Sequence, residues 1–205
     1  VLATKPSDLN SVLADLKSKL FKKNIIIISV VAGKKIELIK NSLVELKNIV
    51  RVMPNMPALI GLGMTCICTK KSFDIKKKRE VQNLFEYSGK TLWLSHEDQI
   101  DMATAVSGSG PGFVFNIIDA MEKAAVNIGL NKKDAEIMIS QTFKGSVELL
   151  IKSKSKASDL VNTVATKGGT TEAGLKIMKN NNFHKVFKKI IQSSYQRAKA
   201  QGKIK

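Results

Sequence analysis

Ile25-Ile26-Ile27-Ile28-Ser29-Val30-Val31-Ala32-Gly33 decides the fold of this chain. A continuous β-branched run of this length predicts a buried strand of a parallel sheet with helices packed against it. Ala32-Gly33 turns the chain, and Lys34 to Lys47 reads as a helix. Upstream, Val1 to Thr4 is short and apolar and is ended by Lys5-Pro6. Ser7 or Asp8 can cap a helix running to about Lys22, with Leu9, Val12, Leu13, Leu16 and Leu20 at helical spacing. Downstream, Ile49 to Met53 and Gly63 to Thr69 read as strands, Phe73 to Ser88 as an amphipathic helix and Leu92-Trp93-Leu94 as a short strand. Strands alternating with helices predict an open α/β sheet.

After Ser95-His96-Glu97-Asp98 the period changes from strand to helix. Ser95 or His96 can cap a long helix, bent around Gly108, Gly110, Pro111 and Gly112 and continuing to Ile128. Gly129 ends it, and Asn131 caps the next, from about Lys132 to Lys152. Short helices follow near Lys156 to Thr163 and Glu172 to Lys179, and a last one from about Phe183 to Gln201. The expected division is therefore an α/β part, residues 1–95, followed by an all-α part, residues 96–205.

Composition narrows the class. The 205 residues are 43% hydrophobic and 25% charged, values of a globular chain. No run approaches the roughly 18 apolar residues that cross a bilayer. The first residues lack the basic start and apolar core of a signal peptide, so a cytoplasmic setting is expected. Cys66 and Cys68 would point the same way from a strand and suggest neither a disulfide framework nor a zinc site. His96 and His184 have no partner histidine, and no metal cluster is expected.

A net charge of +17 invites a nucleic-acid reading. All but three of the 34 basic residues are lysine, however, and those three are Arg51, Arg79 and Arg197. Base-reading proteins draw on the planar fork of arginine. The lysines are scattered, apart from Lys76-Lys77-Lys78-Arg79 and the Lys203/Lys205 tail. Frequent Ile, Lys and Asn point to biased base composition. Solvated lysine faces that attract phosphorylated cofactors are expected, with no specific nucleic acid.

Three motifs stand out. Met53-Pro54-Asn55-Met56-Pro57 fixes φ twice, which makes either a rigid strand-ending loop or part of a ligand crevice outside a strand end. Ser107-Gly108-Ser109-Gly110-Pro111-Gly112 lies among helices and not after a first strand, so it reads as a place of close helix approach. Gly168-Gly169-Thr170-Thr171-Glu172 feeds paired glycines and two hydroxyls into a helix start. Such a start either is simply capped or presents amides to an anion.

Together these segments resemble the pyrroline-5-carboxylate reductase family. Arg51-Val52-Met53-Pro54-Asn55-Met56-Pro57 is similar to its MPN-x-P stretch, Ala105-Val106-Ser107-Gly108-Ser109-Gly110-Pro111 to its helix bend, and Ser158-Asp159-Leu160 through Gly168–Leu175 to its signature. Val1-Leu2-Ala3-Thr4-Lys5-Pro6 resembles its AVKP segment. The resemblance implies a truncated Rossmann-type dinucleotide-binding domain followed by a helical dimerisation domain, α/β plus all-α. The family's glycine-rich β-α-β unit has no counterpart before Val1. Residues 1–95 are thus expected to be the C-terminal part of the nucleotide domain, binding cofactor poorly alone.

The resemblance further implies reduction of 1-pyrroline-5-carboxylate to L-proline with NADPH or NADH. Thr171 would be catalytic, and Glu97, Asn162, Gly168, Gly169, Thr170 and Thr171 would bind substrate. Ala3, Thr4, Lys5, Pro6, Val31, Ala32, Gly33 and Asn55 would line the cofactor cleft. Residues 96–205 would form a homodimer, and the family often builds decamers in which sites borrow residues across the dimer. Two other readings are a helical oligomerisation remnant without catalysis and an adventitious polyanion binder.

Overall fold

The computed structural model describes residues 1–19 and 24–202. Leu20, Lys22 and the Lys203/Lys205 tail lie outside them. Two compact units divide the chain: Val1–Pro111 with Ile190–Lys205, and Gly112–Lys189.

The first unit is built on a four-stranded sheet of order β1-β2-β3-β4: β1 (Ile26–Ser29), β2 (Asn48–Met53), β3 (Gly63–Thr69) and β4 (Gly89–Trp93). β1 and β2 are parallel, β2 and β3 antiparallel, and β3 and β4 parallel. Leu2 adds a parallel bridge to Ser29, its N–H donating to Ile28 O at 2.7 Å. The sheet is thus mixed, because a short 3-10 turn, Met56–Ile60, returns the chain between β2 and β3. The pleat sorts the side chains. Ile27 and Ile49 pack with Leu9, Leu13, Ile36 and Ile39 under α1 (Leu9–Lys17) and α2 (Ile36–Ser42). Ile28, Val50, Val52 and Ile67 face the other way, toward Val81 of α3 (Ile75–Glu86). This two-sided burial is why the strands read as continuous apolar runs.

Helix ends explain where local reading and structure part. α2 covers only part of the helix expected over Lys34–Lys47, since a turn follows its C-cap residue Leu43. Asp74 caps α3, accepting from the amides of Lys76 and Lys77. Neither Ser95 nor His96 caps α4 (Asp98–Ala103). Their amides instead donate to the Gln99 side chain at 2.9 and 3.0 Å.

α4 leads into a single π-helical turn, Thr104–Gly108, closed by Ser109 N–H donating to Thr104 O at 2.8 Å. The bend has a definite cause. Pro111 has no N–H for the carbonyl of Ser107 four residues back. That carbonyl is taken by Asn55 Nδ2 at 3.0 Å. A Cβ on Gly108 would stand 2.8 Å from Met53 Cε, so a larger residue there displaces the Met53 tip.

The remaining helices are α5 (Gly110–Asn127), α6 (Lys132–Ser153), α7 (Ala157–Val164), α8 (Thr170–Asn180) and α9 (Phe183–Gln201). Asn131 caps α6, its side chain accepting from Lys133 N–H at 2.8 Å. Among the described residues no strand follows Trp93. The unit boundaries fall inside α5 and α9 and so differ from a division at residue 95. α4 stays with the sheet because Ile100 packs on Cys66 and Cys68.

Candidate functional site

Two stretches gather the residues that the sequence singles out. In the first unit, Leu2 and β1 run parallel, so Ala3–Pro6 and Val31–Gly33 leave the sheet at the same carboxyl edge. In open α/β sheets this edge is where ligands lie. Thr4 Oγ1 is buried there and has no hydrogen-bond partner among the described residues. A buried orphan hydroxyl is costly unless a ligand or water answers it. Gly33 holds φ +73°, and the end of α9 sits 3.0 Å from where its Cβ would be, so glycine is required on both counts. A nicotinamide nucleotide at this edge could answer the Thr4 hydroxyl, whereas the glycine at position 33 makes room for the end of α9.

Beside the edge, Glu97 lies in a polar cluster with Arg51 and Asp101, two residues to which the sequence reading gave no site role. Arg51 is buried in the apolar run of β2. Its guanidinium donates to Asp101 Oδ1 at 2.9 Å and to Glu97 Oε1 at 3.3 Å. The same Glu97 oxygen accepts from Ile36 N–H, at 2.8 Å, at the start of α2. Glu97 therefore ties α4 to both β2 and α2, while its Oε2 has no partner among the described residues. The signal was present in retrospect, as an arginine set between Val50 and Val52 in a chain that otherwise uses lysine.

Asn55 is similarly engaged. Its Oδ1 accepts from Met64 N–H at 2.8 Å, and its Nδ2 holds the Ser107 carbonyl. The MPN loop and the glycine-rich bend, read separately in the sequence, are thus one construction with Asn55 at its centre. Burial pushes the thiols of Cys66 and Cys68 above their ordinary value. For Cys66 a hydrogen bond with Ser107 opposes the rise; for Cys68 the Glu97 charge adds to it. These thiols pack on Ile100, where burial disfavours the thiolate.

In the second unit, Gly168, Gly169, Thr170 and Thr171 come together at the start of α8. Gly168 turns with φ +73° and donates to Glu172 Oε2 at 2.7 Å. Gly169 donates to Thr166 O at 2.9 Å, and its missing Cβ would sit 2.5 Å from Thr166 Oγ1. Both glycine amides are therefore spent within the turn. No side chain caps α8, so the first-turn amides of Thr170, Thr171 and Glu172 have no acceptor among the described residues. Neither threonine hydroxyl has a partner among the described residues. Gly168, Gly169, Glu172 and Lys176 line a concavity of about 580 Å³. Thr170 and Thr171 do not line it, and neither does Asn162, which is exposed on α7. Among the described residues no group of acidic, cysteine or histidine side chains could hold a metal, and no helix is long and apolar enough to cross a membrane.

Residues 97–201 match the family described as pyrroline-5-carboxylate reductase dimerisation. The pyrroline-5-carboxylate reductase of Haemophilus influenzae is 32% identical over 97% of this chain and 73% of its own length. Among solved structures, a pyrroline-5-carboxylate reductase of Coxiella burnetii superimposes with a TM-score of 0.91 and 33% identity, over 99% of this chain and 75% of that one. The pyrroline carboxylate reductase of Plasmodium falciparum, solved with NADP bound, gives 0.88 and 32%, over 98% and 80%.

Proposed function

This chain belongs to the pyrroline-5-carboxylate reductase family, and from that premise we infer that it is the oxidoreductase of proline biosynthesis, reducing 1-pyrroline-5-carboxylate to L-proline with NAD(P)H. The observation that carries the reading is similarity along nearly the whole chain, with the same fold at a TM-score of 0.91. The Gly-Gly-Thr-Thr start of α8 supplies the chemistry that such a substrate needs.

The reaction adds hydride to C5 of the ring and a proton to its nitrogen. When bound, the nicotinamide supplies the hydride. The chain's own part is to hold the ring and manage charge. The substrate carboxylate suits the free amides of Thr170 and Thr171, where the helix dipole adds positive potential. Glu172 folds back on Gly168 and so fixes the turn. Thr171 Oγ1 then hydrogen-bonds the ring nitrogen and relays to it a proton taken up from solvent, so that the hydroxyl is restored as the imine is protonated and made more electrophilic. Gly168 and Gly169 act by shaping the turn, and Glu97 offers Oε2 as a further polar contact. Asn162, on α7, would be a further polar contact to the substrate. Ala3, Thr4, Lys5 and Pro6, with Val31, Ala32 and Gly33, would hold the cofactor, and Asn55 positions the loop beside them.

Homodimerisation through residues 96–205, with decamers as the larger assembly, and a cytoplasmic location complete the reading. Many apolar side chains of the second unit are exposed, Phe115, Ile137 and Ile177 among them, which is what an oligomer would cover. The function is tested by following nicotinamide oxidation and L-proline together. One proline per cofactor oxidised is expected. Oxidation without proline, or no dependence on 1-pyrroline-5-carboxylate, overturns the assignment.

A further inference from the structure

Arg51, Asp101 and Glu97 carry one positive and two negative charges between them, and all three belong to the first unit. Burying such a group is costly, and well-packed apolar residues in place of all its members often leave a fold as stable. The bonding is also unlike that of a closed ion pair. A guanidinium that only neutralises a carboxylate takes both of its oxygens in a fork. Arg51 instead divides its terminal nitrogens between two carboxylates, Nη2 to Asp101 Oδ1 at 2.9 Å and Nη1 to Glu97 Oε1 at 3.3 Å. Ile36 N–H is a second donor to that same Oε1. One oxygen of Glu97 is thus held twice, while Oε2 has no partner among the described residues. Glu97 is also the most open of the three side chains, 23% exposed against 3% for Arg51 and 7% for Asp101.

The cluster stands at the cofactor edge. Arg51 is in register with Ser29, and Ser29 bridges Leu2, so the three form one row across the sheet. Thr4, with its unanswered buried hydroxyl, lies two residues beyond Leu2, and Ile36 lies three beyond Gly33. Resting on the reductase reading for the presence of a nicotinamide, we propose that Glu97 Oε2 accepts a hydrogen bond from its carboxamide N–H, and that Arg51 and Asp101 are positioning residues that keep this oxygen free. An excess negative charge attracts an N–H donor and repels a carboxylate. The same oxygen therefore separates nicotinamide from nicotinic acid, by attraction to one and repulsion of the other.

The test is calorimetric binding of NADP and of its nicotinic acid analogue, in which a carboxylate replaces the carboxamide. The protein is a form that also carries the family's glycine-rich β-α-β unit. It should prefer the amide by about tenfold or more, the order of one charge-assisted hydrogen bond. Glu97→Gln keeps the shape, removes the charge and offers the acid an N–H, so the preference should fall to about one. Asp101→Asn frees the guanidinium to fork onto Glu97, and Arg51→Lys keeps the charge but cannot bridge two carboxylates. Each should cut the preference severalfold. A merely structural role would weaken both ligands equally and leave the ratio unmoved, whatever it did to stability. No preference in the unaltered protein, or a ratio unmoved in Glu97→Gln, overturns the contact. A ratio unmoved in both Asp101→Asn and Arg51→Lys overturns their positioning role. An amide preference that Glu97→Gln abolishes, in a protein that makes no proline, supports the contact and retires the reductase reading alone.

Discussion

The two units of this chain solve the burial problem in opposite ways. Val1–Pro111 buries three apolar clusters on the two faces of one sheet, although Leu59, Ile60 and Leu62 stay exposed beside them. Gly112–Lys189 hides almost none, and among its described residues only Ala135 and Ile139 are buried hydrophobics. Its helices are nonetheless long and regular, and Ile177 is 62% exposed. A helix stripe gains most of its stability from burial against a partner. The first unit is therefore read as carrying its own core, and the second as completing its core by association.

The largest expected effect falls in the first unit. Arg51→Met removes one partner of a buried pair and strands Asp101. The cost should be about 3–5 kcal/mol of unfolding free energy, measured by denaturant titration. A loss below about 1 kcal/mol would mean that solvent already screens the cluster.

A matched pair sharpens the contrast next. Ile67, fully buried in β3, should cost about 2–5 kcal/mol as Ile67→Ala. Ile177→Ala should leave unfolding of the dilute protein within about 0.5 kcal/mol. It should, however, weaken self-association measured by sedimentation. Equal destabilisation by both would erase the distinction between the units.

Smaller effects test single elements. Asp74→Ala should cost about 1 kcal/mol, because two amides at the start of α3 lose their acceptor. Cys66 and Cys68 have pKa values raised in the folded state, so the unfolded thiols ionise first as pH rises. Their contribution to stability is full below the ordinary value of 9.0 and is lost as pH climbs above it. Thermal melts should therefore fall more steeply above about pH 9 than those of a Cys66→Ala, Cys68→Ala double variant. Parallel curves would contradict the burial argument.

What the sequence made legible follows from which forces are local. The β-branched run and the strand Gly63–Thr69 announced the sheet because burial leaves a periodic trace. Asn131 was readable as a cap for the same local reason. The antiparallel return between β2 and β3 was not, since register is a long-range pairing that Met53-Pro54-Asn55-Met56-Pro57 only permits. The Asn55 bridge to Ser107 spans 52 positions, and the Glu97 bond to Ile36 spans 61. No local pattern encodes partners so far apart. At α8 the hydroxyl pair and the glycines were visible, but the spending of both glycine amides inside the turn required coordinates.

The central claim is that the start of α8 acts on the reacting ring, and Thr171 tests it most directly. Thr171 lies within the first turn of α8, whose N-cap is Gly169, so capping does not account for its hydroxyl. In a form that also carries the family's glycine-rich β-α-β unit, steady-state kinetics of Thr171→Ala should show kcat lowered by about 100-fold or more, as for a lost proton-transfer group. Cofactor affinity should be nearly unchanged, and Thr171→Ser should retain much of the activity because it keeps the hydroxyl. If Thr171→Ala lowers the melting temperature but leaves kcat within about twofold, the hydroxyl serves the fold alone and the account of this site fails.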